Sequence, residues 1–157
     1  EMATLRWAAG SYPSPLPVYG PTGVETVVDG FNKAYSHDFV HRHEHHGDLV
    51  APYRSAGMTA FPFQLPADAN LTRVFEGGGL TVDALAVDHV PVDPAVGYLF
   101  SYKGRTALIT GDTDKSAVIE QHAKGIDLLV HEALAPNLVT MMNAAAAKNG
   151  NAVILRI

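Results

Sequence analysis

Three times in this chain a short apolar run ends directly on a polar group able to do chemistry. Ala84-Leu-Ala-Val-Asp is followed by His89, Ala107-Leu-Ile-Thr-Gly by Asp112, and Ile126-Asp-Leu-Leu-Val by His131-Glu132. Short β-prone runs bounded by turn residues read as strands. A sheet holds side chains at its loop edge more rigidly than a free loop can. The pattern therefore predicts neighbouring strands whose ends bring imidazole and carboxylate to one rim.

The rest of the chain supplies the layers around such a sheet. Met2 to Ala9 reads as helix, ended by Gly10 and the Pro-rich run Ser11-Tyr-Pro-Ser-Pro-Leu-Pro. Leu16-Pro-Val-Tyr-Gly-Pro is a strand running into a turn. Thr22 is placed to cap a helix from Gly23, whose apolar face is Val24, Val27, Val28, Phe31, Ala34 and Tyr35. Met58 to Leu65, Leu71 to Phe75 and Leu80 to Val87 read as neighbouring strands of one sheet, with Gly77-Gly-Gly as a tight turn between the last two. That glycine run lacks the Lys and Ser/Thr of a phosphate loop.

Gly97 to Tyr102 and Thr106 to Thr110 form a hairpin around Lys103-Gly-Arg. A helix (Lys115 to Ala123), a strand (Ile126 to Val130) and a helix (Pro136 to Lys148) follow, the last with Met141-Met142 as a packing face. Strands followed by alternating helices and strands predict a layered α/β fold. Residues 1 to 157 hold no repeat or linker and read as a single domain. The chain opens inside a helix, and Asn151 to Ile157 end without a helix-stop signal, so both termini read as cut.

Composition narrows the chemistry. The chain has no cysteine, so a metal would be held by imidazole and carboxylate. The net charge of -5 provides no bulk attraction for nucleic acid or anionic lipid. No apolar run approaches the roughly 20 residues that span a bilayer, and the start carries no basic, hydrophobic leader. The chain is expected to be soluble, with cytoplasm and periplasm both open as compartments and a homodimer open as an assembly.

Each polar group also has an ordinary structural role open to it. His89 is compatible with a hydrogen-bonded loop position. Asp112 is placed to cap a helix beginning near Asp114. His131-Glu132 could be a satisfied loop pair, and Tyr98 is expected to pack beside the rim. As metal-centre residues, the imidazole and carboxylates are good ligands for zinc-type ions, and one carboxylate can bridge two of them.

Val87-Asp-His-Val-Pro-Val-Asp-Pro-Ala-Val-Gly-Tyr, Leu108-Ile-Thr-Gly-Asp-Thr and Asp127-Leu-Leu-Val-His-Glu-Ala occur in an order that resembles the RNase Z-like branch of the metallo-β-lactamase superfamily. Leu16-Pro-Val-Tyr-Gly-Pro-Thr-Gly resembles the strand and turn preceding them in that branch. The resemblance covers roughly residues 1 to 135. It implies part of a four-layer αββα sandwich holding two divalent metal ions, zinc being the expected metal. It further implies His89 as a terminal ligand and Asp112 as the bridging carboxylate. Glu132, beside His131, would orient a catalytic histidine further along the chain.

Two departures accompany the resemblance. The family's His-x-His-x-Asp-His signature does not precede Leu16, and its late histidine motifs do not occur before Ile157. The 157 residues are therefore expected to be an incomplete domain, inactive alone. His41-Arg-His-Glu-His-His46 imitates the missing spacing, and five of the eight histidines lie between His37 and His46. It follows no strand, however. On a continuing helix, His37, His41 and His45 would share one stripe while His43 points elsewhere. Arg42 is the better candidate for contact with a substrate phosphate.

The expected function is a metal-dependent hydrolase that uses a metal-activated water on a phosphoester or related ester. Two alternatives stand beside it. One is a non-catalytic domain of the same fold, and the other a His-rich metal-binding module centred on residues 37 to 46.

Overall fold

The computed structural model describes residues 2–10, 12–65 and 71–150, so the expectation for Asn151 to Ile157 lies outside the described residues. It contains a two-stranded and a five-stranded sheet with helices around them, the α/β class expected from the pattern of runs.

Helix α1 (Met2–Ala9) leads to strand β1 (Leu16–Pro21), then α2 (Val24–Ala34), α3 (Ser36–Val50), a 3₁₀ turn (Tyr53–Ser55) and β2 (Met58–Phe63). β1 and β2 pair in parallel, Leu16 opposite Met58. Here the structure corrects the expectation that β2 shares a sheet with the strands after it. Parallel neighbours need a long crossover, and α2 and α3 provide one. α2 packs across both strands. Its Asn32 side chain bonds both backbone groups of Met58, donating to the carbonyl at 2.8 Å and accepting from the N–H at 3.0 Å. Thr22 does not cap α2: Gly23 occupies the cap position, with no side-chain cap bond.

Trp7 anchors this half. It is 1% exposed, its ring meets Phe39 edge-on with centroids 5.5 Å apart, and its indole N–H donates to the Pro52 carbonyl at 2.9 Å. A buried Trp is stable where its one polar atom finds such a partner.

The larger sheet runs β3 (Thr72–Gly77), β4 (Leu80–Ala86), β5 (Val96–Tyr102), β6 (Arg105–Ile109) and β7 (Leu128–Val130), in that spatial order. The first four are antiparallel, and β7 is parallel to β6. Gly78 and Gly79 both have positive φ, at 59° and 81°, which is what a two-residue hairpin turn asks of its central residues. α4 (Ala117–His122) forms the β6 to β7 crossover, and α5 (Pro136–Lys148) follows β7. Leu85, Leu108 and Ile119 form the core between sheet and α4, joined by Val87, Leu99 and Ile126.

Met141 and Met142 do not form a packing face among the described residues. They are 68% and 49% exposed, because α5 buries only its small Ala146. All three residues of β7 are also exposed among the described residues.

Register between β6 and β7 is set at their shared lower end by Asp127. Its carboxylate accepts from the Arg105 guanidinium at 2.5 Å and from the Thr106 backbone N–H at 2.8 Å. Its own N–H donates to the Thr106 hydroxyl at 3.2 Å. The Arg105 bond first, and the Thr106 N–H second, hold the Asp127 carboxyl below the usual carboxylate range. A depressed folded-state pKa contributes stability that is fully present above about pH 4 and lost as pH falls through the folded value. The stability gap between the wild type and Asp127→Asn is therefore expected to be constant near neutrality and to close in acid. Urea unfolding at a series of pH values checks this, and a gap independent of pH would remove the Asp127 anchor.

Candidate metal centre

The Asp127 register carries directly to the opposite end of the strands. Ala107 faces Leu128, Leu108 faces Leu129 and Ile109 faces Val130, so the next step brings Thr110 beside His131. The Thr110 N–H donates to the Val130 carbonyl at 3.1 Å, and its hydroxyl lies 2.7 Å from His131 Nδ1. That hydroxyl also reaches the Gly111 carbonyl at 3.0 Å. The Thr110 hydroxyl thus stands between the Gly111 carbonyl and His131 Nδ1 and fixes the orientation of the imidazole ring at the rim.

After Thr110 the chain turns sharply. Gly111 has φ +68°, a conformation that side-chain-bearing residues rarely adopt, and a Cβ there would stand 3.1 Å from the Val96 carbonyl oxygen. This turn presents Asp112 at the rim. Helix capping plays no part in it: α4 begins at Ala117, and its cap is Ser116, whose hydroxyl accepts from the Ile119 N–H.

Thr113 fastens the rim together. Its hydroxyl accepts from the Asp88 N–H at 3.2 Å, with the Asp88 and Asp114 carbonyls sharing its proton at 3.1 and 2.8 Å. The Asp114 N–H donates to the Asp88 carbonyl at 2.6 Å. Two loops that leave different strands are thus tied at Asp88, one residue before His89. Thr113 also donates its backbone N–H to Glu132 Oε1 at 2.7 Å, which draws in the third loop.

The result is a direct meeting of His89 Nε2 and Asp112 Oδ2 at 2.8 Å. Asp112 is largely exposed and His89 about one-third exposed. The bond from Asp112, with a smaller push from the Glu132 charge, raises the His89 pKa, and the same bond lowers that of Asp112. Two donors of the chemical type that divalent zinc-like ions prefer therefore share one proton. They fit as two members of a metal-ligand set, with that proton displaced on binding. Among the described residues, no group of three or more His, Cys, Asp or Glu side chains gathers to hold a metal ion.

The structure thus brings His89, Asp112, His131 and Glu132 to one sheet edge. Arg42 is not part of this network. It donates to Asp38 at 2.7 Å, one helical turn away on α3. His43 turns back to the Ala51 carbonyl at 2.9 Å and faces the Tyr53 ring, so residues 41 to 46 do not form the ligand set their spacing imitates. Tyr98 lies in an aromatic run with Phe63 and Phe100, and burial raises its pKa. Thr110, Thr113 and Asp88 are the contributors that residue type alone did not single out. Thr110 and Thr113 are buried hydroxyls that must find partners, and Asp88 takes part through its backbone N–H and carbonyl.

No protein-family model matches the chain. It is 32% identical over 139 residues to ribonuclease Z of Mycobacterium tuberculosis, covering 87% of this chain and 47% of that protein. It is 31% identical over 141 residues to ribonuclease Z of Mycobacterium avium, covering 88% of this chain and 47% of that protein. The chain thus spans about half the length of the curated relatives it matches. Among solved structures, human tRNase Z, short form, superposes with a TM-score of 0.54 at 21% identity, over 83% of this chain and 50% of that one. This likeness shows the shared fold.

Proposed function

The chain belongs to the RNase Z-like branch of the metallo-β-lactamase superfamily, and from that premise we propose that it forms part of a metal-dependent hydrolase acting on phosphodiesters, with RNA as the substrate class. The observation that carries this reading is the 2.8 Å meeting of His89 and Asp112 on a rim built from three strand ends. When bound, two zinc-type ions would supply a water acidified toward neutral pH and positive charge at the phosphoryl oxygens. His89 and Asp112 would be among the residues that hold them. Among the described residues no third His, Cys, Asp or Glu side chain joins this pair in a metal-holding group.

The other rim residues handle position and protons. Thr113 holds Glu132 through its backbone N–H, which leaves the second carboxylate oxygen to orient a proton donor from outside the described residues. His131, with its ring fixed by Thr110, presents an imidazole at the same edge. Arg42 would contact a substrate phosphate on leaving Asp38, since a guanidinium binds phosphate and carboxylate alike.

The net charge of -5 argued against a nucleic-acid partner. Kinship with proteins named as ribonucleases removes that argument, because a phosphate bound at a metal centre needs local positive charge and not a basic composition. No helix among the described residues is long and apolar enough to cross a membrane.

Hydrolysis of a chromogenic phosphodiester by the full-length protein, with and without Zn²⁺, tests the reading. Turnover that depends on metal supports it, whereas bound metal without turnover favours the non-catalytic alternative. Glu132→Gln keeps an acceptor for the Thr113 N–H but loses the charge. It is expected to lower kcat by about 10²–10⁴-fold, the range of general acid–base contributions, with little change in KM. An unchanged kcat would take Glu132 out of proton handling.

A further inference from the structure

The histidines of α3 present an arrangement that the sheet-edge residues do not use. Consecutive residues on a helix point about 100° apart, so their side chains do not ordinarily face each other. His45 and His46 nevertheless converge. Their Nδ1 atoms stand 3.4 Å apart, and their ring centroids are 4.4 Å apart with planes at 65°. Both side chains are exposed.

A separation of 3.4 Å lies beyond the usual range for an N–H donor and its acceptor. It coincides with a different length. Zinc–imidazole bonds of about 2.0–2.1 Å at tetrahedral angles place two nitrogens about 3.3–3.4 Å apart. The surroundings favour a cation as well. The regular helix breaks at Gly47, where φ is 66° and ψ is -178°, so His45 and His46 occupy its last turn, the negative end of the helix dipole. Neighbouring groups leave the pair free: His43 is engaged with the Ala51 carbonyl, and His41 stands 3.9 Å from Glu44.

We propose that His45 and His46 form a two-imidazole chelate for a borderline transition-metal ion of the class Zn²⁺, Ni²⁺ or Cu²⁺. Imidazole suits all three ions, and Cu²⁺ binds tightest by intrinsic preference. Because structural zinc sites use four protein ligands and this one has two, it is an exchangeable surface site whose coordination is completed by water. It draws on none of the rim residues.

Calorimetric titration of the full-length protein with Zn²⁺ alone, repeated with Cu²⁺, tests the site without reading activity. The wild type is expected to take up an ion that Asp112→Asn retains. His45→Asn and His46→Asn should each weaken that uptake at least about 10–100-fold, since loss of even an outer-shell partner costs that much. His37→Asn, on the same helix, should leave it unchanged. The proposal is overturned if both His45→Asn and His46→Asn bind as the wild type does, if Asp112→Asn removes the ion, or if His37→Asn weakens uptake equally.

Discussion

Replacing Asp112 by Ala is expected to lower both the metal affinity of the rim centre and the phosphodiester turnover of the full-length protein at least about 100-fold, the upper end of what loss of an outer-shell partner costs, while the ion held by His45 and His46 stays bound. The fold should survive. Asp112 is 75% exposed, and the bonds joining the three rim loops run through Thr113 and Asp88 and do not pass through the Asp112 side chain. Metal analysis beside circular dichroism separates lost ligation from lost structure. In the metal-free protein the same variant removes the principal cause of the raised His89 pKa, so the imidazole should titrate at lower pH, as NMR would read directly. Wild-type rim affinity and turnover in Asp112→Ala would end its assignment as a ligand.

Much of this site was legible in the chain, for a physical reason. His89, Asp112 and His131-Glu132 each follow a short β-prone run bounded by turn residues, and β4, β6 and β7 run in one direction, so their C-terminal ends share an edge. The pairing of β1 with β2 was not legible. Periodicity identifies a strand but carries no information about its partner, and that partner lies across two helices. Asp112 carried a capping reading as well, and only Ser116 at the start of α4 removes it. Thr113 stayed silent because a hydroxyl beside an aspartate looks like any turn residue. Its function comes from Asp88 and Glu132, 25 and 19 positions away.

Leu108→Ala is expected to produce the largest loss of stability. Leu108 is fully buried, sits on β6 between β5 and β7, and packs with Leu85 and Ile119. Truncating such a residue costs about 2–5 kcal/mol in transfer and cavity energy. For a chain of this size that corresponds to a midpoint lower by roughly 2–4 °C per kcal/mol. Thermal unfolding monitored by circular dichroism measures it. A loss below about 1 kcal/mol, the level of a conservative hydrophobic exchange, would mean that this core relaxes to fill the gap.

The anchor at Asp127 also determines where the chain can grow. It acts as an index mark at the foot of β7, with His131 reading out at the top. A residue inserted in the crossover before Asp127, around Lys124-Gly125, would be absorbed upstream of the mark, and the rim would keep its geometry. The same residue inserted between Asp127 and His131 would advance everything beyond it by about 3.3 Å and turn each following side chain to the other face. Length variation in this part of the fold is thus free on one side of a single carboxylate and costly on the other.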